Sequence, residues 1–302
     1  MKANKNPLVS IIINCFNGEE FLRKSLESII NQTYTNWEII FWDNRSTDNS
    51  PEIFNSSKDK RFKYFKAEEF TTLYVARNKA LLKCEGEFIA FLDVDDWWES
   101  EKIKKQIKIL EDESVGLVYA NSIIHNEQSK KKTIFQKKKL PSGNVTERIL
   151  TNYPIGISTV VIRKKILTNN NLAFNSNYSV IGDFDLFTNL SLLTNFIGID
   201  ETLSNYRLHE SNDSFLNRDT WINELGVWLD KNKNKFGDRF KRAFKAVELN
   251  FNYLKIKFKI LEGNYKESFF DIIKFPFKIE KLKLVCIYLL IIFKIKKHYD
   301  FK

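Results

Sequence analysis

The sequence predicts an α/β fold with a mainly parallel sheet flanked by helices, followed by a basic helical extension. Three observations carry this reading. Over the first 120 residues, short apolar runs of strand character alternate with amphipathic stretches, the pattern of strands joined by helical crossovers. The apolar run Phe88-Ile89-Ala90-Phe91-Leu92 ends in Asp93-Val94-Asp95-Asp96, and the carboxyl ends of strands are where open sheets of this class bind ligands. The charge is also uneven. Of 48 Lys+Arg and 38 Asp+Glu, 19 and 7 fall from Lys231 onward, which leaves 29 and 31 before it.

The elements follow in order. Residues 8–13 form a continuous β-branched run, the sign of a strand buried on both faces. Residues 19–31 set Phe21, Leu22, Leu26, Ile29 and Ile30 on one helical face. A second strand is expected over 37–42, ending at Asp43, and a short, half-polar third over 61–66. Residues 72–83 read as a helix with Val75, Leu81 and Leu82 inward, and 87–92 as the fourth strand. A helix over 100–112 places Ile103, Ile107 and Leu110 in register, and a strand follows over 115–120.

After residue 121 the alternation loosens. Two lysine triplets, 130–132 and 137–139, flank residues 133–136, which reads as a solvated hairpin, with phosphate binding as the minor alternative. A strand over 157–162, a helix over 183–193 and a strand over 203–208 complete this part, and the chain is helical and basic from about residue 219.

Composition narrows the function classes. At 302 residues, 43% hydrophobic with 26 Phe, the chain can bury a large core. The basic excess belongs to the tail, which favours an anionic partner there and argues against a nucleic-acid-binding core. Cys15, Cys84 and Cys286 are far apart, odd in number and without metal-type spacing, so reduced thiols in a cytoplasmic setting are expected. No signal peptide is read at the start, where Asn14 interrupts the apolar run. The apolar stretch 284–293 falls short of the roughly 20 residues a membrane span requires.

Polar groups stand just beyond several strands. Asn14-Cys15-Phe16-Asn17 follows the first and Asp43 to Asp48 the second, while Arg77-Asn78 lies on the helix before the strand that ends in the Asp cluster. Each has a structural alternative, since Asn and Asp favour turns and helix N-caps. A parallel sheet would bring all of them to one edge. Clustered carboxylates at a buried strand end need a cation, and a divalent metal with its phosphates is the usual occupant.

These motifs resemble the family 2 glycosyltransferases of GT-A fold. The resemblance rests on Val9-Ser10-Ile11-Ile12-Ile13 with Phe16-Asn17, Asn31-Gln32-Thr33-Tyr34, and Trp37-Glu38-Ile39-Ile40 with Asp43 and Ser46-Thr47-Asp48. It continues through Ala76-Arg77-Asn78, the stretch Gly86 to Trp97, Gly182-Asp183 and Tyr206-Arg207-Leu208-His209, and covers about residues 7–215. It implies an inverting, Mg²⁺- or Mn²⁺-dependent transfer of a sugar from a nucleotide-sugar donor to a glycan or lipid-linked acceptor in bacterial surface-polysaccharide synthesis.

By the same resemblance, Asn14 and Phe16 line the nucleobase pocket, Asp43 and Asn44 stand at the family's acidic pair, and Arg77 meets the diphosphate. Asp93 lies near ribose and metal, Asp95 is the metal ligand with His209 beside it, and Asp183 is the catalytic base. Asp96 is read as a cap or supporting group and Asp185 as helix surface. Three departures stand out: Phe16 where Tyr is common, Asn44 for an acid, and Gly182 for the Glu of a Glu-Asp pair. The implied domains are a catalytic part over 1–218, with a nucleotide-binding half 1–121 and an acceptor half 122–218, and a helical extension over 219–302.

Two other functions compete. A sugar nucleotidyltransferase would share the sheet and metal but needs a Gly-rich loop after the first strand, where only Gly18 stands. A non-catalytic nucleotide-sugar-binding protein would not need Asp95, Asp183 and His209. The tail, in which Lys and Arg alternate with Phe, Leu and Ile over residues 240–302, suits either an anionic membrane surface or a packed helical subdomain.

Overall fold

The computed structural model describes residues 6–210, 212 and 217–292, so the last ten positions of the predicted membrane segment lie outside the described residues. The chain divides into two compact units, residues 1–217 and 218–302.

In the first unit, β1 (Val9–Cys15) and β2 (Trp37–Asp43) are buried along almost their whole length, as unbroken apolar runs require. They pair in parallel with Cys15 opposite Asp43, β3 (Phe62–Lys66) pairs parallel to β2, and β4 (Phe88–Phe91) pairs parallel to β1. Helices α1 (Glu19–Ile30), α2 (Ser50–Asn55) and α3 (Leu73–Leu81) make the crossovers. This register brings the residues after β1, β2 and β4 to one edge, where the candidate groups stand. A core built on Val9, Ile11, Ile39, Phe41, Phe88 and Ala90 holds the layers together.

Beyond β4 the sheet is mixed. After β5 (Trp97–Trp98) and α4 (Lys102–Ile109) come β6 (Val115–Asn126), β7 (Lys132–Ile134), α5 (Thr146–Thr151), a 3₁₀ turn (Ile157–Thr159), β8 (Val161–Arg163), α6 (Lys164–Asn169), α7 (Gly182–Leu190) and β9 (Asn195–Leu208). The order is β3-β2-β1-β4-β8-β6-β9-β5, with β7 on β6. The short β8 runs antiparallel between β4 and β6, so β4, β6 and β9 still point the same way. Register shifts between Ala120 and Ser122 bend the β6–β9 ladder, as bulges do. β5 pairs antiparallel with the end of β9, Trp97 opposite Asn205, which returns the chain after β9 to the Asp cluster.

Several expectations are corrected. β6 continues to Asn126 and β9 begins at Asn195, both longer than expected, and the strand expected over 157–162 opens with a 3₁₀ turn. Ile30 is exposed, and Leu82 is 85% exposed. The inward face of α3 is instead Tyr74, Ala76, Arg77 and Ala80. That face carries a tyrosine and an arginine among its buried residues, so the spacing of the aliphatic residues misleads.

The second unit consists of α8 (Arg218–Asn232), a π-helical turn (Lys233–Gly237), α9 (Lys241–Leu261), α10 (Tyr265–Lys274) and α11 (Ile279–Ile292). Its core joins Ile256 and Ile260 of α9 to Ile272, Phe275, Leu284 and Ile287. Among the described residues no helix is long and apolar enough to cross a membrane.

Candidate active site

The loops after β1 and β2 are laced together. Asn17 adopts φ 52°, a left-handed conformation that Asn tolerates, and its Oδ1 accepts the Thr47 N–H at 2.8 Å. The Asn14 side-chain nitrogen is buried without a hydrogen-bond partner. Phe16 is 49% exposed and meets the Phe70 ring edge-on at 4.7 Å, so the two rings form an open aromatic wall.

Asp43 and Asn44 stand beside that wall, but their polar atoms face the protein. Asp43 is wholly buried, accepting the Ser46 N–H at 2.8 Å on one oxygen and the Tyr64 hydroxyl at 2.6 Å on the other. Asn44 donates to the Thr71 carbonyl at 2.7 Å and accepts the Thr71 N–H at 3.2 Å. A carboxylate could not make the first of these bonds, which accounts for an amide at this position. Asn44 ties down the loop that carries Phe70, while Asp43 anchors the loop after β2 to β3.

The acid cluster sorts into distinct environments. Asp96 is buried, accepting the Ser158 hydroxyl at 2.6 Å and the Arg207 N–H at 3.1 Å. Burial, with the charges of Asp95 and Asp93, pushes its carboxyl well above the usual range. It braces the turn and is closed to ligands. Asp93 is partly open and pairs with Arg77 at 2.6 Å. Arg77 itself is buried, so it is not open to a diphosphate as expected; it is the counter-ion beneath Asp93.

Asp95 is the member turned toward His209. Its Oδ2 lies 3.0 Å from His209 Nε2 and accepts from Asn212 Nδ2 at 3.1 Å. The amide orientation follows from Asn212 Oδ1, which accepts the His209 N–H at 2.6 Å. The His209 ring lies 4.9 Å from Phe21 at the start of α1. Gly18 brings the first loop against the cluster, where an added Cβ would sit 2.6 Å from the Val94 side chain. Burial, then the charge of Asp93, raises the Asp95 carboxyl; a cation would relieve both.

The residues fit a divalent ion. Asp95 offers an anionic oxygen and His209 an imidazole nitrogen beside it, a donor pair whose chemistry suits such an ion. Among the described residues no set of three or more His, Cys, Asp or Glu groups could hold a metal alone. The remaining positions would go to substrate phosphate oxygens and water, as sparse Mg²⁺ sites commonly arrange.

Asp183 stands in the first turn of α7, within electrostatic reach of Arg77. Tyr153 donates to its Oδ2 at 3.3 Å, while Tyr74 lies 3.4 Å from Oδ1. The Tyr74 proton is better placed on the Val180 carbonyl at 2.8 Å, which leaves Tyr153 as the firmer partner. Burial raises the Asp183 carboxyl; the Arg77 charge and the Tyr153 hydrogen bond oppose it. Arg77 is acted on by both Asp93 and Asp183, and so connects the base candidate to the acid cluster. Gly182 has a steric reason, since a Cβ there would lie 2.6 Å from the Tyr74 ring.

Sequence reasoning missed Tyr74, Tyr153, Ser158 and Asn212, and assigned no role to Arg207. Arg207 stood within a matched motif, and the structure pairs it with Glu127 at 2.5 Å and with the Asp95 carbonyl at 3.0 Å. The others carry no local signal, because they lie 62 to 117 residues from Asp96 or Asp95 in two cases.

Comparison with known proteins gives a consistent picture. A family model described as Glycosyl transferase family 2 matches residues 10–169. The chain is 36% identical over 160 residues to the Escherichia coli UDP-Glc:alpha-D-GlcNAc-diphosphoundecaprenol beta-1,3-glucosyltransferase WfgD, covering 53% of this chain and 62% of that protein. It is 30% identical over 211 residues to the putative teichuronic acid biosynthesis glycosyltransferase TuaG of Bacillus subtilis, covering 68% and 81%. The chain thus spans less than two thirds of the length of some relatives it matches, WfgD among them. Among solved structures, S. aureus TarS 1-349 aligns over 97% of this chain and 93% of its own, with TM-score 0.59 and 17% identity. The Pyrobaculum calidifontis mannosyltransferase PcManGT, solved with GDP-Man and Mn²⁺, aligns over 99% and 89% with TM-score 0.64 and 14% identity. The shared architecture is GT-A.

Proposed function

The chain belongs to the family 2 glycosyltransferases, and from that premise we propose that it is an enzyme of glycosyl transfer, carrying out an inverting, metal-dependent transfer from a nucleotide sugar to a glycan or lipid-linked acceptor. The observation that carries the reading is the line from the Asp95–His209 pair through Asp93 and Arg77 to Asp183.

Phe16, with Phe70, offers a face for the nucleobase, and the unpartnered Asn14 amide is a donor beside it. Asn44 positions this pocket by holding the Phe70 loop, and Asp43 fixes the turn after β2 beside it. Asp95 and His209 would hold Mg²⁺ or Mn²⁺, with Asp93 adjacent, and the ion's chemistry is to neutralise the charge growing on the departing diphosphate. Asp183 takes the proton of the acceptor hydroxyl. The acceptor oxygen bonds to the anomeric carbon as the carbon–phosphate oxygen bond breaks, and attack from the opposite face inverts that carbon. A carboxyl raised by burial is a stronger base, and the Arg77 charge works against that rise.

Residues 1–121 would serve as the nucleotide half, 122–218 as the acceptor half and 219–302 as the extension. The names of WfgD and TuaG support a role in bacterial surface-polysaccharide synthesis. A lipid-linked acceptor would place the enzyme at the cytoplasmic face of the membrane, with the basic residues 240–302 toward anionic lipid.

The test is a panel of nucleotide sugars offered to the purified protein with Mn²⁺ or EDTA, read as release of nucleoside diphosphate. One donor should be turned over, and EDTA should abolish the release. Equal release in EDTA removes the metal from the reading, and no release with any donor and a lipid-diphosphate sugar acceptor removes the donor class.

A further inference from the structure

The turn between α10 and α11 exposes apolar side chains that its own core could have absorbed. Phe275 packs inward with Ile272, Leu284 and Ile287, yet Phe277, two residues on, is 84% exposed and Ile279 64%. The outward stripe continues three residues apart along each helix, through Phe270 and Ile273 on α10 and Leu282 on α11. The turn has a fixed form. Lys281 Nζ donates to the Ile273 and Phe275 carbonyls at 2.8 and 2.9 Å, satisfying the end of α10. The exposed rings therefore sit on a braced tip.

The charges of this hairpin are segregated. Its acidic residues, Glu267, Asp271 and Glu280, each interact with a residue of α9. Asp271 and Glu267 pair with Lys259 at 2.9 and 3.4 Å, and Glu280 acts on Tyr253. Lys274, Lys278 and Lys283 are exposed and flank the apolar tip. An exposed apolar patch rimmed by cations matches the boundary between anionic headgroups and acyl chains.

We propose that this hairpin tip is the membrane-inserting element of the enzyme, with Phe277 and Ile279 entering the interface of an anionic bilayer and Lys274, Lys278 and Lys283 meeting lipid phosphates. The proposal rests on the membrane contact read above and narrows it from a basic surface to one inserted turn.

The experiment is flotation of the full chain with vesicles of phosphatidylcholine alone or with phosphatidylglycerol, at low and high salt. The wild type should float with anionic vesicles. Phe277→Ser with Ile279→Ser should lower the partition coefficient about tenfold or more, because both substitutions remove apolar area from the interface. Leu82→Ser, at an equally exposed apolar position of the first unit, should leave flotation unchanged, and both variants should keep donor turnover. Undiminished flotation of the double variant overturns the hairpin assignment but leaves surface contact standing. No flotation of the wild type overturns both, while donor turnover persists as evidence for the enzyme. A dimer that the double variant dissolves, without vesicle binding, assigns the tip to a second copy and overturns the proposal.

Discussion

Replacing Asp183 by Asn should slow transfer and raise stability together. As general base, Asp183 should contribute about 10²–10⁴ in rate, or about 3–5 kcal/mol of barrier. Burial raises its carboxyl above the ordinary value and outweighs the Arg77 charge and the 3.3 Å Tyr153 hydrogen bond that oppose it. With the folded-state value raised, the group's stabilising contribution is whole below the unfolded value of about 3.9 and is lost as pH rises through the folded value. At pH 7.5 the ionised carboxylate therefore costs stability that the neutral, isosteric amide does not. Each kcal/mol relieved should raise Tm by about 2–4 °C at this size. The assay pairs kcat/KM for transfer with thermal unfolding at pH 7.5 and pH 4, and donor affinity should persist. A rate reduced less than tenfold refutes the assignment of Asp183 as base. A Tm gain as large at pH 4 as at pH 7.5 refutes the electrostatic argument.

His209→Ala removes one of the two protein ligands proposed for the metal, so the Mn²⁺ concentration for half-maximal rate should rise tenfold or more; an unchanged titration would exclude His209 from the metal. Asn44→Asp leaves the Thr71 carbonyl unpaired against a carboxylate and should cost about 1–3 kcal/mol in denaturant unfolding; unaltered stability would mean the clamp is dispensable. Gly182→Ala drives a Cβ to 2.6 Å from the Tyr74 ring and should cost about 1–3 kcal/mol, with kcat falling through the displaced Asp183. An unchanged kcat with lowered stability would separate Tyr74 from the base.

The strands that end in functional loops were legible because each is a short apolar run followed by polar residues. β1, β2 and β4 appear within a residue or two of expectation. Arg77 was recognisable as part of a site, but its exposure was not, because burial beside Asp93 depends on how α3 meets the sheet. Asn44 stood out as a departure from the family's acidic pair, but its two bonds to Thr71 depend on a partner 27 residues away. The length of β9 was missed since polar residues such as Asp200 and Glu201 interrupt its apolar pattern.

Local sequence determined the strand identities, the carboxylate cluster after β4 and the confinement of the basic excess to the tail, because each is written in neighbouring residues. Tertiary structure alone decided that His209 meets Asp95 across 114 positions, and that Tyr153 meets Asp183. Those contacts depend on strand order, on the antiparallel β8 and on the bend in the β6–β9 ladder. Periodicity carries no information about register between distant segments, so a residue's chemistry can be read from the chain while its partner cannot.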